Sequence, residues 1–242
     1  SIGIGLMGLG VVGSGVAKTL LEKEDAIAQQ VGCPLIIKRI LIRDLDKKRA
    51  FHVPSDFLTT DPKQILTDPE VDIVIELIGG EVEAYRYIKE AISKGKHIVT
   101  ANKEVISKHS SELFALASKH KVDIRYEASV GGGIPLIAPF KRDLLANYIQ
   151  ALHAIINGTT NYILTRMAKE GLDFNIALKQ AQRLGYAEAN PANDRDGVDA
   201  AYKLAILATL AFRTEIHPDD IYHEGISRLT ARDFRYANEL GY

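Results

Sequence analysis

Three glycines just behind a short apolar run, Gly8, Gly10 and Gly13 in GLGVVG, constrain this chain more than any other feature. The spacing GxGxxG occurs in two registers, Gly3-Gly5-Gly8 and Gly8-Gly10-Gly13. Only the second leaves room for a strand before the turn and a helix after it, as the motif requires. Its first glycine permits the tight turn, its second lets backbone approach a pyrophosphate, and its third lets helix pack on strand. Val11 and Val12 then open a helix whose free N–H groups and dipole face an anion. Gly8, Gly10, Val11, Val12 and Gly13 are therefore the candidate dinucleotide-binding turn.

The remainder of the first half fits a dinucleotide fold. Short apolar runs at 2–7, 35–42, 71–78, 97–100 and 122–126 alternate with helical periodicity at 12–30, 82–93 and 104–120. Several of the short runs are rich in Val and Ile, as expected of strands buried on both faces of a parallel sheet. Gly95 is placed to end the second helix. Strand–helix alternation of this kind predicts an open, doubly wound parallel sheet with right-handed crossovers. The pattern changes near Ser129, where VGGGIP forms a flexible junction. Residues 1–128 are read as the nucleotide-binding domain and 129–242 as a second, α+β domain. That second domain has one strand-like run, 149–157, and helices over 160–170, 174–184, 198–212 and 231–240. It reads as cut short, because a helix ends at Gly241 with nothing after it.

Composition removes other classes. Thirty Lys and Arg against 31 Asp and Glu give a net charge of −1. That leaves no basic excess to displace counterions from a nucleic acid. Hydrophobic residues at 46% and charged residues at 25% describe an ordinary globule, not a disordered chain. The single cysteine, Cys33, makes no internal disulfide, so a reducing compartment is expected. No apolar run is long enough for a membrane span, and the N-terminus lacks the basic start of a signal peptide. The reading is a cytoplasmic protein.

The second strand ends at Arg43-Asp44. Asp44 there suits a ribose 2′-hydroxyl and hence NAD, while Arg43 suits a 2′-phosphate and hence NADP. Both readings stand at this point, as does a plain solvated strand end.

The blocks GLGVVGSGV, DIVIELIGG, HIVTANKEVI, YEASVGGGIPLI, INGTTNYIL and GYAEANPANDRDGVDAAYKLAIL, in this order, resemble the homoserine dehydrogenase family over nearly the whole chain. The resemblance implies a Rossmann-type NAD(P) domain followed by a substrate-binding and dimerisation domain. It also implies interconversion of L-homoserine and L-aspartate 4-semialdehyde, in the branch leading to threonine, methionine and isoleucine. Position by position, it makes Lys203 the catalytic lysine and Lys103 a lysine beside nicotinamide and substrate. Glu188 becomes the carboxylate for the substrate amino group, and Asp194 and Asp199 acids of the substrate pocket. Thr100, Asn102, Lys103 and Gly133 join the cofactor contacts. Glu127, with the backbone carbonyls of Val130, Gly132 and Ile134, matches a sodium site. Residues 157–160 match a junction segment with a positional role. The same resemblance implies a homodimer and a small-molecule substrate. Asn190 and Arg195 depart from the family pattern.

The residues themselves support part of this. Asp199 and Lys203 stand one helical turn apart on one face. Spacing alone fits an exposed ion pair worth a few tenths of a kcal/mol. The helix continues as LAILATLA, however, apolar nearly all round and so suited to burial. A lysine at the start of such a helix needs a partner or a ligand. Hydride addition to an aldehyde drives negative charge onto oxygen, which a lysine ammonium would stabilise and then protonate. Lys103 follows the fourth main strand, at the sheet end where such folds bind ligands, and is given a supporting electrostatic role. Glu188, Asp194, Asp196 and Asp199 suit a substrate carrying an ammonium group, or else form a polar entrance to a helix. The seven histidines are dispersed and are read as structural or solvent-facing. Competing readings are a different Rossmann amino-acid dehydrogenase and an inactive nucleotide-binding relic.

Overall fold

A computed structural model describes residues 1–47, 51 and 53–242. His52, one of the dispersed histidines, lies outside the described residues. The chain divides into two compact units, Ser1–Pro139 and Phe140–Tyr242.

The first unit is built on one parallel sheet of β1 (Ile2–Met7), β2 (Leu35–Leu41), β3 (Leu58–Thr59), β4 (Ile73–Glu76), β5 (His97–Thr100) and β6 (Ile124–Arg125). The strand order is β3-β2-β1-β4-β5-β6. This is the order of a doubly wound dinucleotide fold, with its switch point between β1 and β4. The central strand β1 is buried along almost its whole length. Gly3 and Gly5 serve close packing there. A Cβ on Gly3 would come within 1.7 Å of the Glu70 carbonyl oxygen, and one on Gly5 within 2.3 Å of the Ile65 side chain. These two glycines therefore belong to the strand and not to the turn.

The connecting helices are α1 (Val11–Glu22), α2 (Glu24–Val31), α3 (Lys63–Leu66), α4 (Val82–Ser93) and α5 (Lys103–His120). In α4, Ala84, Tyr87, Ile88, Ala91 and Ile92 are buried at the spacing of one helical face. Full burial of Ile88 and Ile92 stabilises the unit by about 1.5–3 kcal/mol each. The helix stops ahead of Gly95, which takes a φ of +77° as expected of a C-terminal glycine. The single helix expected over 12–30 is two helices. Lys23 breaks it with non-helical backbone, and Glu24 and Asp25 place negative charge in the first turn of α2. On the opposite side, Leu6, Ala17, Ile37, Ile40, Ile42 and Val53 form a second apolar cluster.

A short helix, α6 (Ile137–Lys141), spans the division. The second unit holds α7 (Gly158–Glu170), α8 (Phe174–Arg183), α9 (Ala192–Arg195), α10 (Val198–Phe212) and α11 (Ala231–Glu239). Ile163, Met167, Ala177, Ala181 and Ala187 form its core between α7 and α8. The expected strand over 149–157 does not form. The segment is irregular and mostly exposed or half-buried, and among the described residues it pairs with no strand. A strand needs a neighbour for its N–H and C=O groups, and the second unit supplies none among its described residues. No helix among the described residues is long and apolar enough to cross a membrane.

Candidate active site

In the first unit the glycine turn is shaped as its chemistry requires. Gly8 follows β1 at a φ of +103°, a region that favours glycine. Its N–H donates to the Leu41 carbonyl at 2.9 Å, tying the turn to the end of β2. A Cβ on Gly8 would sit 2.7 Å from the Leu77 carbonyl oxygen, and one on Gly13 only 2.0 Å from the Gly8 carbonyl oxygen. Gly13 thus lets α1 pack against the turn. Gly10 differs, since a Cβ there would meet only open space. Its missing side chain leaves room for something outside the protein. Gly10 is also the N-cap of α1 and offers no side-chain oxygen to the helix N–H groups. Val11, at 94% exposure, and the exposed Val12 stand uncovered at that helix start. An open helix N-terminus lined by glycine fits the pyrophosphate of a dinucleotide.

The turn opens into a cleft of about 510 Å³ that Arg43, Asp44, Lys47 and Glu83 also line. The Asp44 carboxylate accepts the Asp46 N–H at 2.8 Å, and Arg43 pairs loosely with Glu83 at 3.7 Å. Arg43 and Asp44, the two charges at the end of the second strand, therefore both line this cleft.

Across the switch point a buried polar network ties β4 to β5. Glu76 is fully buried. Its carboxylate accepts the Ile78 N–H at 2.8 Å and the Thr100 hydroxyl at 2.6 Å. Thr100 Oγ1 accepts the Asn102 N–H at 2.9 Å. Asn102 caps α5 by accepting the Val105 N–H, and its Nδ2 donates to the Gly80 carbonyl at 2.7 Å. Thr100 and Asn102 are thus both buried, and they fix the first residue of α5, Lys103, at the carboxyl end of β5. Sequence reasoning passed over Glu76. Its signal was an acid inside the apolar run IVIELI.

Glu127 opens a short 3-10 turn, and its carboxylate accepts the Ala138 N–H at 3.2 Å. Between them the chain doubles back through Gly131 and Gly132, both at positive φ. Val130 is buried, while Gly133 and Ile134 are exposed. Among the described residues no three His, Cys, Asp or Glu side chains cluster to hold a metal. A cation here would draw on Glu127 and backbone oxygens. Beside it, burial and the neighbouring Glu127 charge push the Tyr126 phenol up to about 12.

The second unit gathers Lys203, Asp199 and Asp194, and joins to them Asn157 from the segment expected to have a positional role. Lys203 Nζ lies 2.7 Å from Asp199 Oδ2, and the two side chains are only 19% and 4% exposed. Their pairing is a largely buried one, not the exposed i,i+4 contact that spacing alone allows. Lys203 also donates to the Ile156 carbonyl at 3.0 Å, so the irregular segment before α7 helps to seat it. Asn157 Nδ2 donates to Asp199 Oδ2 and to Asp194 Oδ1, each at 2.7 Å. Asp196 turns away into a two-point pair with Arg195. Glu188 is exposed on the loop after Ala187, and among the described residues its carboxylate is not hydrogen-bonded to this group.

Comparison with known proteins bears on both units. The family described as "Homoserine dehydrogenase, NAD binding domain" matches residues 8–127, and "Homoserine dehydrogenase" matches residues 135–242. The homoserine dehydrogenase of Bacillus subtilis is 45% identical over the whole chain, which spans 56% of that protein. A structure from Thiobacillus denitrificans superposes over the whole chain with a TM-score of 0.93 at 46% identity, and the chain covers 56% of it. An Archaeoglobus fulgidus chain, provisionally assigned as a homoserine dehydrogenase, is 33% identical with a TM-score of 0.87, and 78% of it is covered. The chain belongs to the homoserine dehydrogenase family. It spans about half the length of the curated relatives it matches. The NAD-binding match takes in the glycine turn and the β4–β5 network, so this chain carries the NAD-binding domain of the family. A hyperthermophilic archaeal homoserine dehydrogenase, 26% identical with a TM-score of 0.78, was solved in complex with NADPH.

Proposed function

We propose that the protein interconverts L-homoserine and L-aspartate 4-semialdehyde with NAD(P), in the cytoplasm, as a homodimer serving threonine, methionine and isoleucine synthesis. The observation that carries the chemistry is the partly satisfied Lys203 ammonium. It bears three N–H donors. Among the described residues Asp199 and the Ile156 carbonyl take two, and the third is assigned to the substrate's reacting oxygen.

When bound, the cofactor supplies a hydride to the aldehyde carbon or accepts one from the alcohol carbon. Lys203 does the acid–base work. In the reducing direction its N–H faces the carbonyl oxygen as negative charge develops there, then gives up the proton that completes the alcohol. In the oxidising direction it takes that proton back. Asp199 keeps the ammonium oriented through both directions. Asp194 and Glu188 supply negative charge for the substrate's α-ammonium group. Lys103, at the head of α5, adds a second positive charge to the same reaction.

Gly8, Gly10, Val11, Val12 and Gly13 would hold the pyrophosphate, with Thr100, Asn102 and Gly133 toward the nicotinamide end. Arg43 and Asp44 would meet the adenine ribose. Glu127 and the carbonyls of Val130, Gly132 and Ile134 offer the all-oxygen donor set that a hard cation such as sodium accepts. No step of the hydride chemistry runs through that cation.

The test is homoserine-dependent reduction of NAD+ and NADP+ by the purified protein, with L-serine and L-threonine as comparison substrates. Turnover that prefers homoserine supports the reading. Cofactor binding without homoserine turnover overturns it.

A further inference from the structure

Asn157 stands at the centre of the second unit's polar cluster, and all four of its side-chain hydrogen bonds are made. Oδ1 accepts the Thr160 N–H at 2.8 Å and the Thr160 hydroxyl at 2.9 Å, which caps α7. Nδ2 gives one proton to Asp194 and the other to Asp199. An amide held by two donors on one side and two carboxylates on the other has a single orientation, since a flip would set donor against donor. The residue is buried, so water cannot substitute for it cheaply.

We propose that Asn157 is a positioning residue that holds Asp194, which faces the substrate's ammonium group, against Asp199, which holds Lys203, a role that rests on the function proposed above. The two bonding oxygens sit on one nitrogen, so they are no further apart than twice 2.7 Å. Two carboxylates at that spacing repel strongly when water is scarce. Lys203 cancels one of the two charges through Asp199 Oδ2. Asn157 is neutral and adds nothing to the balance while donating to both. Asp194 is the carboxylate of the pair that Lys203 does not touch, and its negative charge suits a ligand that carries a positive one. Asn157 also shares Asp199 Oδ2 with Lys203, so a single oxygen atom links the Asn157 bridge to the acid–base group. Partners 37 and 42 residues away in sequence make this arrangement invisible to spacing.

The variants Asn157→Ser and Asn157→Asp separate the bridge from the helix cap, because Ser and Asp both cap helices well. Only the bridging protons are lost. In steady-state kinetics Asn157→Ser is expected to raise the KM for homoserine at least tenfold while leaving the cofactor's dissociation constant unchanged. A cofactor constant that moves in parallel would overturn the positioning role. A second measurement does not depend on turnover. Without the bridge Lys203 alone offsets the repulsion of the two carboxylates, so Asp194→Asn should raise the melting temperature more in the Asn157→Ser background than in the unsubstituted chain, by about 2–4 °C. Additive effects of the two substitutions would mean that Asn157 is only a cap, and the inference fails. Non-additivity in a chain without homoserine turnover would keep the bridge and sink the proposed function instead. Asn157→Asp, which adds a third carboxylate, should melt below Asn157→Ser; the reverse order would also contradict the bridge.

Discussion

Lys203 Nζ and Asp199 Oδ2 lie 2.7 Å apart on one face of α10, with the carboxylate almost wholly enclosed. A buried pair is costly to break from one side only, because the remaining charge loses its partner but stays out of water. Asp199→Asn should therefore cost more than an exposed pair would. About 2–4 kcal/mol of stability is expected to go, measured by denaturant unfolding, with a fall in homoserine turnover at temperatures where the variant is still folded. A loss below 1 kcal/mol would mean that the pair is in effect solvated.

The glycine turn separates packing from binding. Gly10→Ala puts a methyl group into open space, so it should change unfolding stability by about 1 kcal/mol or less. It should also weaken NAD(P) binding by at least about tenfold, since the pyrophosphate needs that space. Gly13→Ala, with its Cβ 2.0 Å from a carbonyl oxygen, should destabilise the fold itself. Calorimetric binding and thermal melting on the two variants distinguish the effects. Equal loss of stability in both would contradict the assignment of Gly10 to the ligand.

Tyr126 makes an alkaline prediction. Its phenol is held up to about 12 against an ordinary 10.0, so between those values the folded chain keeps a proton that the unfolded chain has lost. Folded protein binds more protons there, and stability must fall as pH rises through that window, by about 3 kcal/mol in all. Tyr126→Phe should remove that part of the slope. An unchanged alkaline slope in the variant would show that the phenol is not held in its neutral form.

Glu81 predicts the opposite limb. Lys108 and His109 donate hydrogen bonds to its carboxylate, at 2.6 and 2.8 Å, and hold it below the ordinary carboxylate value of 4.5. A depressed carboxylate stabilises the fold above its unfolded value, and that stability is lost as pH falls through the folded value. The group is partly exposed, so Glu81→Gln should cost about 0.2–1 kcal/mol at neutral pH. The difference should vanish in strong acid and shrink in high salt. A cost that persists at low pH would point to packing.

Much of the first unit could be read in advance because its signals are local. Val82–Ser93 and His97–Thr100 fall where periodicity placed them. The misses come from short elements and distant partners. β3 has two residues and α3 four, too few to show a period. The break at Lys23 involves neither proline nor glycine, so nothing in the pattern marked it. The run 149–157 has the composition of a strand but lacks a neighbouring strand to pair with. At the site, the i,i+4 spacing of Asp199 and Lys203 was visible, but its burial depended on contacts with Ile156 and Asn157 far away in sequence. Glu76 was hidden for the same reason, as its hydroxyl partner sits on the next strand.

The central claim is that Lys203 carries the proton for the hydride step. The most direct measurement is Lys203→Ala in the purified protein, with homoserine-dependent NAD(P)H formation and cofactor affinity determined together. Loss of one general acid–base group should cut kcat by about 10²- to 10⁴-fold while the cofactor's dissociation constant stays put. A variant that keeps its kcat, or loses turnover and cofactor affinity in equal measure, would contradict the account.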